Sequence, residues 1–145
     1  MSVIWIHEDA ITLDHPAVTM AGEGAEIIFI WDTERHDEKA YSLKRRVFIY
    51  ECALDLGVKI MAGHPYNVLR ELVGEQTIYT AWSPDPDYRE IIADLRDTHE
   101  VKVIEAPGLV SVPDDVDTKR FFRFWNRAKK SAMTPSHQVL ESETA

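Results

Sequence analysis

The chain has 145 residues, about the length of one folded domain, with 45% hydrophobic and 28% charged residues. These proportions are typical of folded proteins and exclude the disordered and membrane-embedded classes. The formal net charge of −9 opposes long-range attraction to nucleic acids and anionic membranes, so neither is expected as a partner. One cysteine excludes an internal disulfide. The first residues lack the pattern of a signal peptide, so a cytoplasmic location is expected.

Five short apolar runs, rich in β-branched and aromatic residues, predict five buried strands. They cover residues 3–6, 27–31, 58–61, 77–82 and 101–104. Segments of helical period separate them, and this alternation predicts an α/β fold with a parallel sheet covered on both faces. Right-handed crossovers then give a doubly wound, five-stranded, Rossmann-like sheet with strand order 3-2-1-4-5.

Helices are predicted after several strands, most clearly over residues 41–56, where apolar residues recur at helical spacing. The side chains expected to face the sheet there are Leu43, Val47, Tyr50 and Leu54. Proline is common in the first turn of a helix, and three further helices are predicted to begin at Pro16, Pro65 and Pro86. Asp14 and Asp85 are the expected caps of the first and third of these.

A last helix is predicted over residues 118–133, with Phe121, Phe122, Trp125 and Ala128 on its buried side and Phe124 on another face. Its basic residues are expected to form a solvated face. We therefore predict one domain over residues 1–133. The polar segment 134–145 has no periodicity and is expected to be disordered.

Ligands of doubly wound sheets bind beyond the carboxyl ends of the strands where the strand order reverses, here between the first and fourth strands. The candidate cofactor-binding residues at that rim are His7, Glu8, Asp9, Asp32, Trp82, Ser83, Asp85 and Asp87. Trp82 offers a stacking surface for a flat ligand. The alternative is that the carboxylates cap helices or are solvated loop charges. No nucleophile and base are paired in the sequence, so no catalytic residue and no metal ligand is assigned.

The segment around the first strand end resembles the opening signature of DNA photolyases and cryptochromes. Trp5, Asp9, Asp14, Pro16 and Ala17 match that signature in register. Further stretches are similar along nearly all of residues 2–133: residues 27–32 resemble the family's second strand, 42–48 the helix after it, 57–65 its glycine and proline stretch, and 121–125 its closing aromatic helix. Two arginines of the family signature are His7 and Ile11 in this chain.

The resemblance is to the N-terminal, antenna-chromophore domain of deoxyribodipyrimidine photolyases. In that family FAD and the DNA-repair site lie in a separate helical domain, so the resemblance implies a domain that is not an enzyme by itself. It implies an antenna-type chromophore, a folate, flavin or deazaflavin, or a nucleotide-like small molecule in the strand-end crevice. The alternative is an interaction subunit that self-associates as a homo-oligomer, or completes a split photolyase-like complex with a separate FAD-binding domain, through Phe124 and its basic helix.

Overall fold

The computed structural model describes residues 1–134. They form two compact units, Met1–Ala106 and a second that begins at Pro107. The first unit holds the strands β1 (Ser2–Ile6), β2 (Glu26–Trp31), β3 (Lys59–Ala62), β4 (Thr77–Ala81) and β5 (Val101–Ile104). Its helices are α1 (Pro16–Ala21), α2 (Thr33–Glu38), α3 (Leu43–Asp55), α4 (Pro65–Leu72) and α5 (Pro86–Arg96), and the second unit holds α6 (Phe121–Met133). The predicted disorder of residues 135–145 lies outside the described residues.

The sheet is parallel throughout and has the order β3-β2-β1-β4-β5. This confirms the predicted doubly wound, Rossmann-like α/β fold. β1 is the central strand, and its Trp5 lies opposite Ile28 of β2 and Thr80 of β4. The Thr80 hydroxyl also donates a 2.9 Å hydrogen bond to the Trp5 carbonyl, which adds a side-chain link to the ladder between β1 and β4.

Both faces of the sheet are covered, which explains why the strands are continuous apolar runs in the sequence. On one face Val3 and Trp5 belong to a core that also contains Leu69 of α4 and Leu95 of α5. On the opposite face Ile4 and Ile6 pack in a second core with Ile49 and Ala53 of α3. Because successive side chains of β1 point to opposite faces, this one strand contributes to both cores.

The structure confirms that the three helices α1, α4 and α5 begin at the predicted prolines. Asp85 caps α5, as expected, by accepting a 2.9 Å hydrogen bond from the Asp87 backbone N–H. The expectation for Asp14 is wrong, because the cap of α1 is His15, whose Nδ1 accepts a 3.1 Å hydrogen bond from Ala17. His15 directly precedes Pro16, and the cap is the residue immediately before the first helical one.

The predicted orientation of α3 is wrong. Ile49 and Ala53 face the sheet with 6% and 0% of their surface exposed, whereas the predicted stripe from Leu43 to Leu54 is exposed. The small Ala53 side chain permits a close approach of the helix to the strands. Ser42 caps the start of the helix, because its hydroxyl accepts a 3.3 Å hydrogen bond from the Arg45 backbone N–H. Arg46 links α3 to α2 through a 2.8 Å hydrogen bond from its Nη2 to Asp37.

The orientation of α6 also differs from the prediction. Phe121 and Phe122 are 65% and 74% exposed, while Ala128 is buried and Phe124 and Trp125 are half-buried. The half-buried pair and Ala128 are neighbours at spacings of three and four residues, so they form one face of the helix. Within residues 1–134, no helix is long and apolar enough to cross a membrane.

Candidate ligand-binding site

A buried polar network fills the rim at the carboxyl end of β1, and Glu8 is at its centre. The Glu8 side chain is 9% exposed. Its Oε1 lies 2.6 Å from Nε2 of His36, and its Oε2 accepts a 2.8 Å hydrogen bond from the Tyr41 hydroxyl. Arg35 Nε lies 3.6 Å from the same Oε2. Buried carboxylates require such donors, so Glu8 is bound by the protein itself.

Arg35 connects this network to α5. Its Nη2 and Nη1 donate hydrogen bonds of 2.7 and 2.9 Å to Asp85 and Asp87, and its side chain is 9% exposed. Lys39 adds a second cation, 2.7 Å from Asp87. Burial would raise the pKa of Asp85, but the hydrogen bonds from Arg35 and the Asp87 backbone, together with the charges of Arg35 and Lys39, outweigh burial and lower that pKa. Burial would likewise lower the pKa of Arg35, but the hydrogen bond to Asp85 and the neighbouring Tyr88, Tyr41 and Asp85 groups together raise it, so the pair is charged.

His7 lies beneath this ion pair in a stack of rings. Its Nε2 is 2.9 Å from the Ala81 carbonyl oxygen, and its Nδ1 accepts a hydrogen bond from the Asp9 backbone N–H at 3.3 Å. The Tyr88 ring stacks on His7 at 4.5 Å, and the Arg35 guanidinium lies 4.4 Å from the Tyr88 centroid. Burial lowers the pKa of His7, so the imidazole is held neutral with its proton on Nε2.

Ser83 closes the network on the β4 side. Its hydroxyl donates a hydrogen bond to the Asp9 carboxylate and accepts a 3.0 Å hydrogen bond from the Asp85 backbone N–H. Only 1% of the Ser83 surface is exposed. The hydroxyl is therefore committed to positioning the loop between β4 and α5, and is not presented to a ligand.

The eight predicted site residues fall in three places. His7, Glu8 and Asp9 belong to the buried network, and Asp85 joins them through Arg35. The remaining residues line two separate cavities: Asp32 and Asp87 line one, and Trp82 and Ser83 line the other, while Ser83 and Asp87 also make hydrogen bonds to the network. The structure thus brings the strand ends together, but the crevice between them is filled by side chains of the chain.

The cavity beside Asp32 has a volume of about 310 Å³ and is strongly acidic. Its lining carboxylates are Asp32, Glu34, Glu38, Asp87, Glu90 and Asp94. Asp32 also caps α2, since its Oδ1 accepts a 3.1 Å hydrogen bond from the Arg35 backbone N–H. Among residues 1–134, no group of three or more His, Cys, Asp or Glu side chains is placed to hold a metal ion. This cavity repels anionic ligands.

The cavity beside Trp82 is larger, about 520 Å³, and lies between α5 and β5. Trp82 is 48% exposed at the carboxyl end of β4. Arg89 and Arg96 of α5 also line this cavity, and Ile92 and Val103 contribute apolar surface. A volume of this size lies in the range of small-molecule sites, which combine apolar surface with a few polar groups. We refer to this cavity as the Trp82 groove.

Sequence reasoning gave no role to Arg35, His36 or Arg96. Arg35 and His36 belong to α2, which is six residues long and has no apolar period from which it could be recognised. A usable signal was Asp32 directly after β2, since Asp is a preferred helix cap. Arg89 and Arg96 are seven residues apart on α5, and this spacing alone places them on one helical face.

Comparisons with known proteins return no match for this chain: no protein-family model, no curated protein and no solved structure. The Rossmann-like fold and the geometry of the Trp82 groove are therefore the features that bear on its function.

Proposed function

We propose that the chain is a non-catalytic binding module for a flat, anionic, aromatic small molecule held in the Trp82 groove. The observation that carries the proposal is a half-exposed indole beside two arginines in one cavity. A ring stacked on Trp82 gains apolar and quadrupole contact. Arg89 and Arg96 supply the cations that an acidic group on the same ligand requires.

The local charge of the groove supports an anionic ligand. The chain carries a net charge of −9, whereas the residues that line the Trp82 groove include two arginines and one carboxylate, Glu105. Arg89 has no ion-pair partner among residues 1–134. Arg96 makes only long contacts, 3.4 Å, to the Val101 carbonyl. Both guanidinium groups therefore retain donors for a ligand.

The resemblance to photolyase N-terminal domains supplies the ligand class. Folates, flavins and deazaflavins are flat conjugated molecules, and their natural forms carry carboxylate or phosphate groups. A nucleotide shares both properties. The proposed contacts differ from those first predicted at the rim, because His7, Glu8 and Asp9 are occupied by the buried network. The relation to photolyases, and with it any role in DNA repair, is part of this proposal.

Equilibrium binding tests the proposal. The protein would be titrated with methenyltetrahydrofolate, FMN, 8-hydroxy-5-deazaflavin and AMP, with tryptophan fluorescence and ligand absorbance as readouts. We expect saturable binding of at least one of them, weakened about tenfold by Arg89→Gln or Arg96→Gln, since a charge-assisted hydrogen bond contributes about 1.5 kcal/mol or more. Arg70→Gln is the matched control, because Arg70 is an exposed arginine on α4. Absence of binding by all four probes refutes the proposal.

A second candidate function is an interaction subunit, and the exposed aromatic pair at the start of α6 favours it. Phe121 and Phe122 contact each other at a centroid distance of 5.4 Å and remain 65% and 74% exposed. Exposed aromatic surface of this kind is common at protein interfaces. The partner would be a separate FAD-binding domain. Mixing the chain with a recombinant helical domain of a photolyase, and following flavin absorbance during gel filtration, tests this; separate elution contradicts it.

A further inference from the structure

The outward face of α3 carries a stripe of apolar side chains. Leu43, Val47, Tyr50 and Leu54 are 77%, 46%, 42% and 53% exposed. They occur at intervals of four, three and four residues, so at about 100° per residue they form one narrow face of the helix. We call this face the α3 stripe. Contiguous exposed apolar surface of this kind marks an interaction site.

The spacing of the α3 stripe is the same in both directions along the helix. Its midpoint lies between Phe48 and Ile49. A second α3 packed against it in the antiparallel direction would therefore place Leu43 opposite Leu54 of the other copy, and Val47 opposite Tyr50. Such self-complementarity is what a two-fold interface requires. The spacing also matches the heptad-like pattern by which helices pack side by side.

The charged residues along one flank of the α3 stripe also favour a second copy of the chain, packed in the antiparallel direction. Lys44 lies near the start of α3, and Glu51 and Asp55 lie near its end on the same flank. None of the three has an ion-pair partner among residues 1–134. In an antiparallel pair, Lys44 of each copy lies between Glu51 and Asp55 of the other. In a parallel two-fold pair this flank of each helix would lie against the opposite flank of the other, so these ion pairs would not form.

From this geometry we infer that the chain forms a two-fold symmetric homodimer in which the α3 stripes of two copies pack antiparallel. The 13 residues of α3 extend over about 20 Å, and two such helices bury less than the roughly 800 Å² per partner of a standard interface. The dimer is therefore weak, with a dissociation constant in the micromolar range. α3 and α5 cover opposite faces of the sheet, so dimerisation leaves the Trp82 groove open.

Sedimentation velocity on the full chain tests this inference over roughly 1 to 500 µM, a range that spans weak association. We expect the mass to rise with concentration toward twice 16.6 kDa. Val47→Glu, at an exposed position, abolishes the rise. Leu72→Glu is the matched control, because Leu72 is 40% exposed on α4, which packs on the opposite face of the sheet from α3, and it leaves the dimer intact. Far-ultraviolet circular dichroism verifies that each variant is folded.

Charge reversal tests the antiparallel register. Lys44→Glu weakens the dimer at low salt, and combining it with Glu51→Lys and Asp55→Lys restores association because each flank is then inverted. A monomer at every concentration overturns the inference. So does a dimer that tolerates Val47→Glu, which would place the contact elsewhere, for example at Phe121 and Phe122. Failure of the triple variant to associate, while the unmodified chain does, overturns the antiparallel register.

Discussion

Arg35 of α2 places Nη2 2.7 Å from Oδ2 of Asp85, the residue that caps α5. α2 follows β2 in the chain and α5 follows β4, and these two strands lie on either side of β1. One guanidinium therefore joins the two halves of the sheet at the point where the strand order reverses. In many doubly wound proteins a ligand occupies that point, and here an ion pair of the chain does.

Arg35→Met is expected to destabilise the first unit by about 3 to 5 kcal/mol, since removing one partner of a buried ion pair leaves the other charges uncompensated. Glu8 and Asp85 are the carboxylates left without their cation. Urea unfolding followed by circular dichroism measures the change. Arg70→Met, at an exposed arginine, serves as the control and changes stability by less than about 0.5 kcal/mol. Equal effects of the two substitutions would contradict the assigned role of Arg35.

His7 makes stability depend on pH. Burial holds its pKa below the ordinary value of 6.5, and the folded imidazole uses Nδ1 as an acceptor. The unfolded chain therefore binds a proton more readily than the folded chain. Stability is complete above pH 6.5 and declines as the pH falls through 6.5 toward the folded pKa. Asp85 changes the stability in the same direction at lower pH: its pKa is lowered from 3.8, so its contribution to stability is lost as the pH falls below that value.

Two measurements check the role of His7. The urea midpoint should be lower at pH 5.5 than at pH 7.5, and His7→Gln should flatten this dependence. Because Gln could fail to fit the buried site, the His7 pKa is also measured directly from the imidazole signals in an NMR titration of the unmodified protein. A His7 pKa at or above 6.5 would contradict the prediction.

The orientation of α3 is tested by two neighbouring residues. Ala53→Leu should destabilise the protein by about 1 to 3 kcal/mol, because extra methylenes are forced into a packed core. Leu54→Ala removes as many side-chain carbons as Ala53→Leu adds, but at a position that is 53% exposed, so the monomer should lose less than about 0.5 kcal/mol. Both are measured by urea unfolding at low micromolar concentration. The reverse order of effects would restore the orientation expected from the apolar pattern.

Trp82→Leu should weaken ligand binding in the Trp82 groove without loss of stability. The indole is 48% exposed, and removing a stacked aromatic pair is expected to cost about 0.5 to 1.5 kcal/mol of binding, up to roughly tenfold in affinity. Isothermal titration with whichever probe binds the unmodified chain gives the affinity. The chain also contains Trp31, and Trp31→Phe is the control. Loss of binding in both variants would point away from the groove.

The strand positions and their order followed from the sequence, because a strand buried on both faces leaves an apolar run, and the handedness of crossovers then restricts the topology. The orientation of α3 did not follow. Its most apolar stripe, which includes Leu43 and Val47, faces outward, and the face that packs on the sheet contains the small Ala53. The helical spacing of apolar residues identifies a helix. It does not indicate whether the apolar side of that helix packs against the sheet.

The candidate site was predictable only in part. The rim residues Glu8 and Asp85 do lie at neighbouring strand ends, as the topology requires. Arg35 joins these two residues. It belongs to a short helix that has no periodic apolar residues, and it is 50 residues away from Asp85 in the chain. Pairings over such distances leave no local pattern, so sequence placed the charges at one rim without revealing that they neutralise one another.

The central position of β1 has a consequence for synthesis. Trp5 of β1 and Thr80 of β4 are 75 residues apart in the chain, yet they are hydrogen-bonded neighbours. At translation rates of about 5 to 20 residues per second, a nascent chain carries an incomplete sheet for roughly 4 to 15 seconds. During that interval the β1 edge is an open template for pairing with other chains. A ribosome that stalls before β4 therefore releases an aggregation-prone polypeptide.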